Sequence, residues 1–143
     1  KKIDIKKSLE NLVKSYNLSC KIKGNAYVYG RESKIFLIFD NIFKNIYDKS
    51  LKENLECSIE IKKNDDLVTT RIFDTGSKIE EIEKIFEPFH TAKTSGLGIG
   101  LYQVKNIVTR MGGKVGAENT DDGVMFDITI PEKLSIKKDL ASA

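Results

Sequence analysis

The stretch Lys93-Thr94-Ser95-Gly96-Leu97-Gly98-Ile99-Gly100-Leu101, which runs straight into a helical pattern from Tyr102 to Met111, organises the whole chain. Glycine at every second position clears side chains from the path of a ligand and lets the backbone adopt positive φ. The helix opening behind the loop contributes unpaired N–H groups and the positive end of its dipole, and Lys93, Thr94 and Ser95 add donors. Such a loop suits an anion, a phosphate tail above all. The spacing is G-x-G-x-G, not the G-x-G-x-x-G of a dinucleotide fold; no strand precedes it, and no G-x-x-x-x-G-K-[ST] occurs anywhere. Taken alone, the loop reads equally well as a glycine-rich surface segment that lets a helix pack closely.

At 143 residues the chain has the length of one domain able to bury a sizeable core, and 40% hydrophobic with 31% charged residues describe an ordinary globular protein. No stretch approaches the run of about 20 apolar residues that crosses a bilayer, so no membrane segment is expected in this piece. Twenty-four basic residues against twenty-one acidic ones leave a net charge of +3, small and interspersed. With five Tyr and seven Phe scattered and no Trp, there is no base-stacking platform, and a nucleic-acid partner is not indicated. Cys20 and Cys57 match no metal-ligand spacing and have only His90 for company, which disfavours a structural zinc site. They are expected as a reduced pair in a cytoplasmic protein, buried as small apolar residues, although the sequence leaves a disulfide open. The chain starts Lys1-Lys2-Ile3 with neither an initiator Met nor a signal-peptide pattern. It is expected to be a single domain, residues 1–143, excised from a longer protein.

Ile5, Leu9, Leu12, Val13 and Tyr16 fall at helical spacing and predict an amphipathic helix over 5–16, closed by Asn17 and Ser19. Residues 20–23 and 26–29 alternate around Gly24-Asn25 and read as a hairpin-like unit that Gly30 ends. A second helix from Glu32 to about Lys49 carries Ile35, Phe36, Ile38, Phe39, Ile42, Phe43, Ile46 and Tyr47, an apolar face so wide that the helix should be mostly buried. Asn41 and Asn45, one turn apart on it, either hydrogen-bond locally or sit at the helix edge, or else Asn45 offers an oxygen to a hydrated Mg²⁺, an ion that takes few protein ligands besides phosphate oxygens.

Strands over 55–63 and 67–73 flank a charged turn, and the second ends at Asp74-Thr75-Gly76-Ser77. A carboxylate there, beside a glycine, can accept from an exocyclic amine such as adenine's, or can form a turn or cap a short helix over 79–86. Pro88 stops that helix, and the polar run to Ser95 predicts a mobile connector able to close over a nucleotide. His90, without a Ser, Cys or carboxylate partner, reads as structural or lid-forming and not as a base or phosphoacceptor. Gly112-Gly113 caps the third helix. Strands over 114–119 and 124–130 form a closing hairpin with Phe126, Ile128 and Ile130 inward, and the tail from Glu132 should fray.

This order of elements predicts an α+β, two-layer sandwich: a mixed, mostly antiparallel sheet of about five strands with three main helices on one face. Read jointly, the motifs resemble the ATP-binding catalytic domain of bacterial sensor histidine kinases, of the GHKL superfamily with its Bergerat-type fold. Asn41-Ile42-Phe43-Lys44-Asn45 is similar to that family's N box, Asp74-Thr75-Gly76 to its first glycine box, and Phe86-Glu87-Pro88-Phe89-His90-Thr91-Ala92-Lys93 to its F box. Gly96-Leu97-Gly98-Ile99-Gly100-Leu101 is similar to its second glycine box, and Met111-Gly112-Gly113-Lys114 and Phe126 to Pro131 match its end.

The resemblance implies ATP, with Mg²⁺, as ligand and ADP as product. Asn45 would carry the metal, Asp74 would hold the adenine amino group, and Gly76 would let the ring approach. Lys93, with the amides of Gly96, Leu97, Gly98, Gly100 and Leu101, would enclose the triphosphate, and Thr129 would face Asp74 and line the adenine pocket. Asn41, Asp48, Ile79, Phe86, Thr94 and Ile99 complete the implied nucleotide-binding set, with Lys49 supplying a phosphate contact one position later than the family's basic residue. Asn45 and Lys93 would serve transfer of the γ-phosphoryl group to a histidine on an upstream dimerisation segment, in a homodimer that signals to a response regulator receiver domain. Family ATPases carry a glutamate where this chain has Asn41; an amide cannot take a proton from water, which favours transfer over hydrolysis. Two departures, Lys78 in place of the first glycine box's second glycine and Asp48-Lys49 in place of a basic then an aromatic residue, leave a regulatory nucleotide-binding module without catalysis as the alternative.

Overall fold

The computed structural model describes residues 1–88 and 100–133. Helix α1 (Ile5–Ser15) begins where the Asp4 carboxylate accepts from the backbone N–H of Lys7 at 3.0 Å. It ends where Asn17, at φ 56°, takes the left-handed conformation an asparagine tolerates; the N–H groups of Asn17 and Leu18 return to the carbonyls of Lys14 and Val13. Helix α2 (Glu32–Ser50) buries Ile35, Ile38, Phe39, Ile42, Phe43 and Ile46, each worth about 1.5–3 kcal/mol out of water. Its apolar face is narrower than the sequence suggested, since Phe36 is 49% exposed. Helix α3 (Gly100–Arg110) closes through Gly112, at φ 86°, with the N–H of Gly113 reaching the Val108 carbonyl at 2.9 Å.

These three helices cover one face of a five-stranded mixed sheet, the α+β two-layer arrangement expected. The strands in chain order are β1 (Lys2–Asp4), β2 (Cys20–Lys23), β3 (Tyr27–Tyr29), β4 (Cys57–Asn64), β5 (Leu67–Asp74), β6 (Lys114–Asn119) and β7 (Val124–Pro131). The main sheet runs β2-β4-β5-β7-β6, with β2 parallel to β4 and the other pairs antiparallel. Ile59, Ile61, Val68, Ile72, Val124, Phe126, Ile128 and Ile130 alternate onto the helix side and form the core with α1, α2 and α3.

Four expectations are corrected. Residues 20–23 and 26–29 do not form a hairpin: β2 pairs parallel with β4, while β3 pairs with β1 in a separate two-stranded sheet. Gly24, at φ 88°, swings the chain away beside the Ile61 backbone, and strand pairing then follows contacts distant in sequence. Cys20 and Cys57 are not a reduced pair but a disulfide, because the parallel register sets them opposite each other with Cα atoms 4.6 Å apart. The helix over 79–86 reduces to a single 3₁₀ turn, Ile82–Lys84, since Glu81 at φ 51° breaks the right-handed run. Glu132 is tied down, donating from N to the Asp66 carbonyl at 2.7 Å and accepting from Tyr29 at 2.8 Å, so it joins the small sheet to the large one.

A Cβ on Gly24 would lie 2.1 Å from the Ile61 carbonyl oxygen, which cannot move without breaking β4. Gly24→Ala should cost about 2 kcal/mol or more and lower the urea midpoint at unchanged slope. An unaltered midpoint contradicts this placement of β2.

Candidate functional site

Three side chains of α2 spaced four apart, Asn41, Asn45 and Lys49, form one row along the helix, about 12 Å from first to last. At the Gly100 end of α3 the row comes close to that helix: a Cβ on Gly100 would lie 2.7 Å from Asn41 Oδ1. The row ends at Asp74, the last residue of β5. Lys49 Nζ donates to Asp74 Oδ1 at 2.8 Å and to the Ser77 carbonyl at 2.9 Å.

Asp74 is the most deeply buried charged group in this region. Its side chain is 1% exposed and that of Lys49 17%. Besides Lys49, its Oδ1 accepts from the backbone N–H of Gly76 at 2.8 Å, which turns the chain sharply at the strand end. Asp74 therefore caps no helix. Gly76 is buried, and a Cβ there would lie 2.8 Å from Lys49 Cδ and 3.0 Å from Leu55 Cδ2, so the lysine stem lies across the glycine. From below, Gly123 supports the same strand end: a Cβ on it would sit 2.0 Å from the Asp74 carbonyl oxygen.

Further hydrogen bonds fasten the loop after Asp74. Glu53 accepts from the Ser77 N–H at 2.8 Å and from the Ser77 hydroxyl at 2.5 Å, and that hydroxyl bond is what chiefly holds its carboxyl below the usual range. Asn119, at the end of β6, both accepts from and donates to the Ile79 backbone, at 2.9 and 3.0 Å. Ile79 and Leu101 pack on the core, and Phe86 meets Phe126 edge-on at 6.4 Å.

Both asparagines hydrogen-bond locally. Asn41 Nδ2 donates to the Leu37 carbonyl at 2.8 Å and Asn45 Nδ2 to the Asn41 carbonyl at 2.9 Å, the local bonding a helix permits. Those bonds use the amide N–H and leave Oδ1 as the atom for a ligand. Asn45 is exposed and Asn41 half-buried, so neither is a sealed core amide. One amide oxygen cannot hold a hard cation unaided, and no cluster of three His, Cys, Asp or Glu able to hold a metal occurs among the described residues. Asn45 therefore fits Mg²⁺ only when phosphate oxygens and water complete the coordination.

Contacts thus run from Gly100 to Asn41 at one end of the row, and from Lys49 to Asp74 and Gly76 at the other. Thr129, Lys49 and Asp48 are placed otherwise. Thr129 pairs with Thr69, whereas Asp74 pairs with Val124; the two lie five residues apart along β5, about 17 Å, and on opposite faces of the sheet. Thr129 hydrogen-bonds Thr69 at 3.0 Å instead of lining an adenine pocket. Lys49 meets the buried acid in place of a phosphate contact. Asp48 lies where its charge bears on the Tyr16 hydroxyl of α1, which donates to Asp40 at 2.6 Å. Lys93, Thr94, Gly96, Leu97, Gly98, Ile99 and His90 fall outside the described residues. Glu53, Asn119 and Gly123 were not among the residues that sequence reasoning assigned to the site.

Residues 30–134 match the sequence profile described as "Histidine kinase-, DNA gyrase B-, and HSP90-like ATPase". Among curated proteins the chain is similar to sensor histidine kinase GlnK of Bacillus subtilis, 31% identical over 140 residues, covering 92% of this chain and 34% of that protein. It is also similar to sensor protein VanSC of Enterococcus gallinarum, 28% identical over 127 residues, covering 83% of this chain and 35% of that one. The chain thus spans about a third of the length of these relatives. Among solved structures, the catalytic domain of histidine kinase ThkA superposes with a TM-score of 0.82 at 26% identity, covering 96% of this chain and 97% of that one. Full-length ShkA in complex with AMPPNP superposes at 0.77 with 21% identity, covering 94% and 31%, a likeness that speaks to the fold alone. No helix among the described residues is long and apolar enough to cross a membrane.

Replacing Lys49 by Met keeps the stem but leaves Asp74 buried without its cation, at a cost of about 3 kcal/mol. The double variant Lys49→Met/Asp74→Asn should recover part of that loss, giving strong non-additivity in urea denaturation. Additive effects would show that the two side chains do not pair.

Proposed function

The chain belongs to the family of histidine kinase-, DNA gyrase B- and HSP90-like ATPases, and from that premise we propose that it binds Mg-ATP along the Asn41–Asn45–Lys49 row and serves as the phosphoryl donor domain of a sensor histidine kinase. The single observation that carries this reading is the arrangement of the row. It runs from a glycine-opened helix start at Gly100, suited to phosphates, to a buried carboxylate at Asp74, suited to a base edge. Asp74 receives the base, Gly76 leaves room for it, and Asn45 Oδ1 faces the phosphates and the ion they bring. When bound, Mg²⁺ supplies charge neutralisation to the phosphate oxygens. Lys93, Thr94, Gly96, Leu97, Gly98 and Ile99 stay in the proposal as the phosphate loop, with Gly100 and Leu101 at the helix start.

Transfer to an external histidine fits better than hydrolysis. Asn41 stands where a water-activating glutamate would be needed, and its amide hydrogen-bonds its own helix. The protein then contributes positioning and electrostatics. The acceptor belongs to a dimerisation segment of the parent protein, taken to be a homodimer, and the phosphoryl group passes on to a receiver domain. Residues 1–143 are then the ATP-binding domain of that longer protein. The ion pair of Lys49 with Asp74 favours one second reading, a regulatory module that binds nucleotide without catalysis.

Calorimetric titration with ADP and Mg²⁺ tests the site. Asp74→Ala should weaken binding about 10- to 100-fold, the worth of a charged hydrogen bond. Asn45→Ala should bring the affinity measured with Mg²⁺ down to that measured in chelator; unchanged affinity in both variants contradicts the site. With labelled ATP, the chain alone should stay unlabelled, and dimerisation helices supplied in trans should acquire phosphohistidine. A stable label on His90 contradicts the donor role, and unlabelled helices favour the regulatory module.

A further inference from the structure

The purine-binding reading of this site leaves the pairing of Lys49 with Asp74 unexplained. The surface a base edge meets is not a bare carboxylate. Nζ of Lys49 lies 2.8 Å from Asp74 Oδ1, and its stem crosses Gly76, where the base is to approach. Both side chains are largely out of water, so the ammonium and carboxylate act together as one donor–acceptor pair.

A lone buried carboxylate selects adenine by what it refuses. Adenine offers an amino donor at C6, whereas a 6-oxopurine sets a carbonyl oxygen against the negative oxygens, unpaired and repelled; discrimination of this kind rests on the penalty to the wrong partner. An ammonium beside the acid removes that penalty. Of its three donors, one goes to Asp74 and one to the Ser77 carbonyl, which leaves one for a base. The remaining acceptor capacity of Asp74 lies on Oδ2, since Oδ1 already receives Lys49 and Gly76. Guanine or hypoxanthine can accept from Lys49 at O6 and donate from N1–H to Asp74. Adenine can donate from its amino group to Asp74 and accept from Lys49 at N1. The pair satisfies either base.

Building on the nucleotide-binding role proposed above, we propose that Lys49 is the base-specificity residue of this domain and opens its site to 6-oxopurine nucleotides, guanine nucleotides above all, alongside adenine nucleotides. Lys49 acts on the choice of base and not on phosphoryl transfer.

The experiment is calorimetric titration of the protein, Lys49→Met and Lys49→Arg with ADP and with GDP, each with Mg²⁺, folding being checked by circular dichroism. GDP should bind the parent protein within about tenfold of ADP, and Lys49→Met should weaken GDP relative to ADP by about 10- to 100-fold through loss of one charged hydrogen bond. Lys49→Arg, which keeps a cationic donor, should retain both ligands. A parent protein that binds ADP but binds GDP more than tenfold more weakly overturns the proposal, as does an ADP-to-GDP ratio unmoved in Lys49→Met. The parent ratio and Lys49→Arg decide the matter if Lys49→Met fails to fold. Binding of neither nucleotide to the folded parent overturns this proposal together with the nucleotide site itself, whereas binding of ADP alone overturns only the specificity.

Discussion

A carboxylate held out of water must be met by donors, and at Asp74 that demand shapes the surroundings. The side chain sits at the end of β5 with 1% exposure and takes one donor from the backbone at Gly76 and one from Lys49. Each fixes something larger. The Gly76 bond sets the turn leaving the sheet, and the Lys49 bond fastens the C-terminal end of α2 to the strand end. Because α2 is also gripped by six buried apolar side chains, the lysine cannot drift without disturbing the core. Buried pairs of this kind contribute little net stability, since desolvation offsets attraction, but they specify one arrangement over its neighbours.

The same helix serves two ends of the site because its period is 3.6 residues. Asn41, Asn45 and Lys49 fall on one face, so a single rigid element sets the distance between the Gly100 end and the Asp74 end. The apolar stripe on the other side of α2 is what holds that ruler in place. Glycines appear where neighbours crowd the backbone: Gly100 against the Asn41 side chain, Gly76 under the Lys49 stem and Gly123 beneath the Asp74 carbonyl. The first two lie in the glycine motifs, and the third belongs to the β6–β7 turn, which gives that hairpin a part in shaping the site.

Legibility in the sequence followed the range of the interactions. Helices α1, α2 and α3 and the β4–β5 and β6–β7 hairpins were readable because periodicity and turn residues are local. Pairing of β2 with β4 was not, since 37 residues separate Cys20 from Cys57, and the disulfide was hidden with it. Strand β1, only three residues long, is too short for its alternation to stand out. The supposed helix over 79–86 failed on a backbone dihedral at Glu81 that no side-chain pattern announces. At the site, Asn41, Asn45, Asp74, Gly76 and Gly100 were singled out by chemistry and spacing. Thr129 was misplaced because strand register sets both distance and face, and the partnership of Lys49 with Asp74 spans 25 residues that no motif links.

The account stands on one pocket with two ends. Backbone amide resonances of Gly76 and Gly100, followed by NMR as ADP and Mg²⁺ are added, report on those ends separately. Both should move in one titration with the same apparent dissociation constant. Movement of one without the other, or two distinct constants, would contradict a single nucleotide spanning the row.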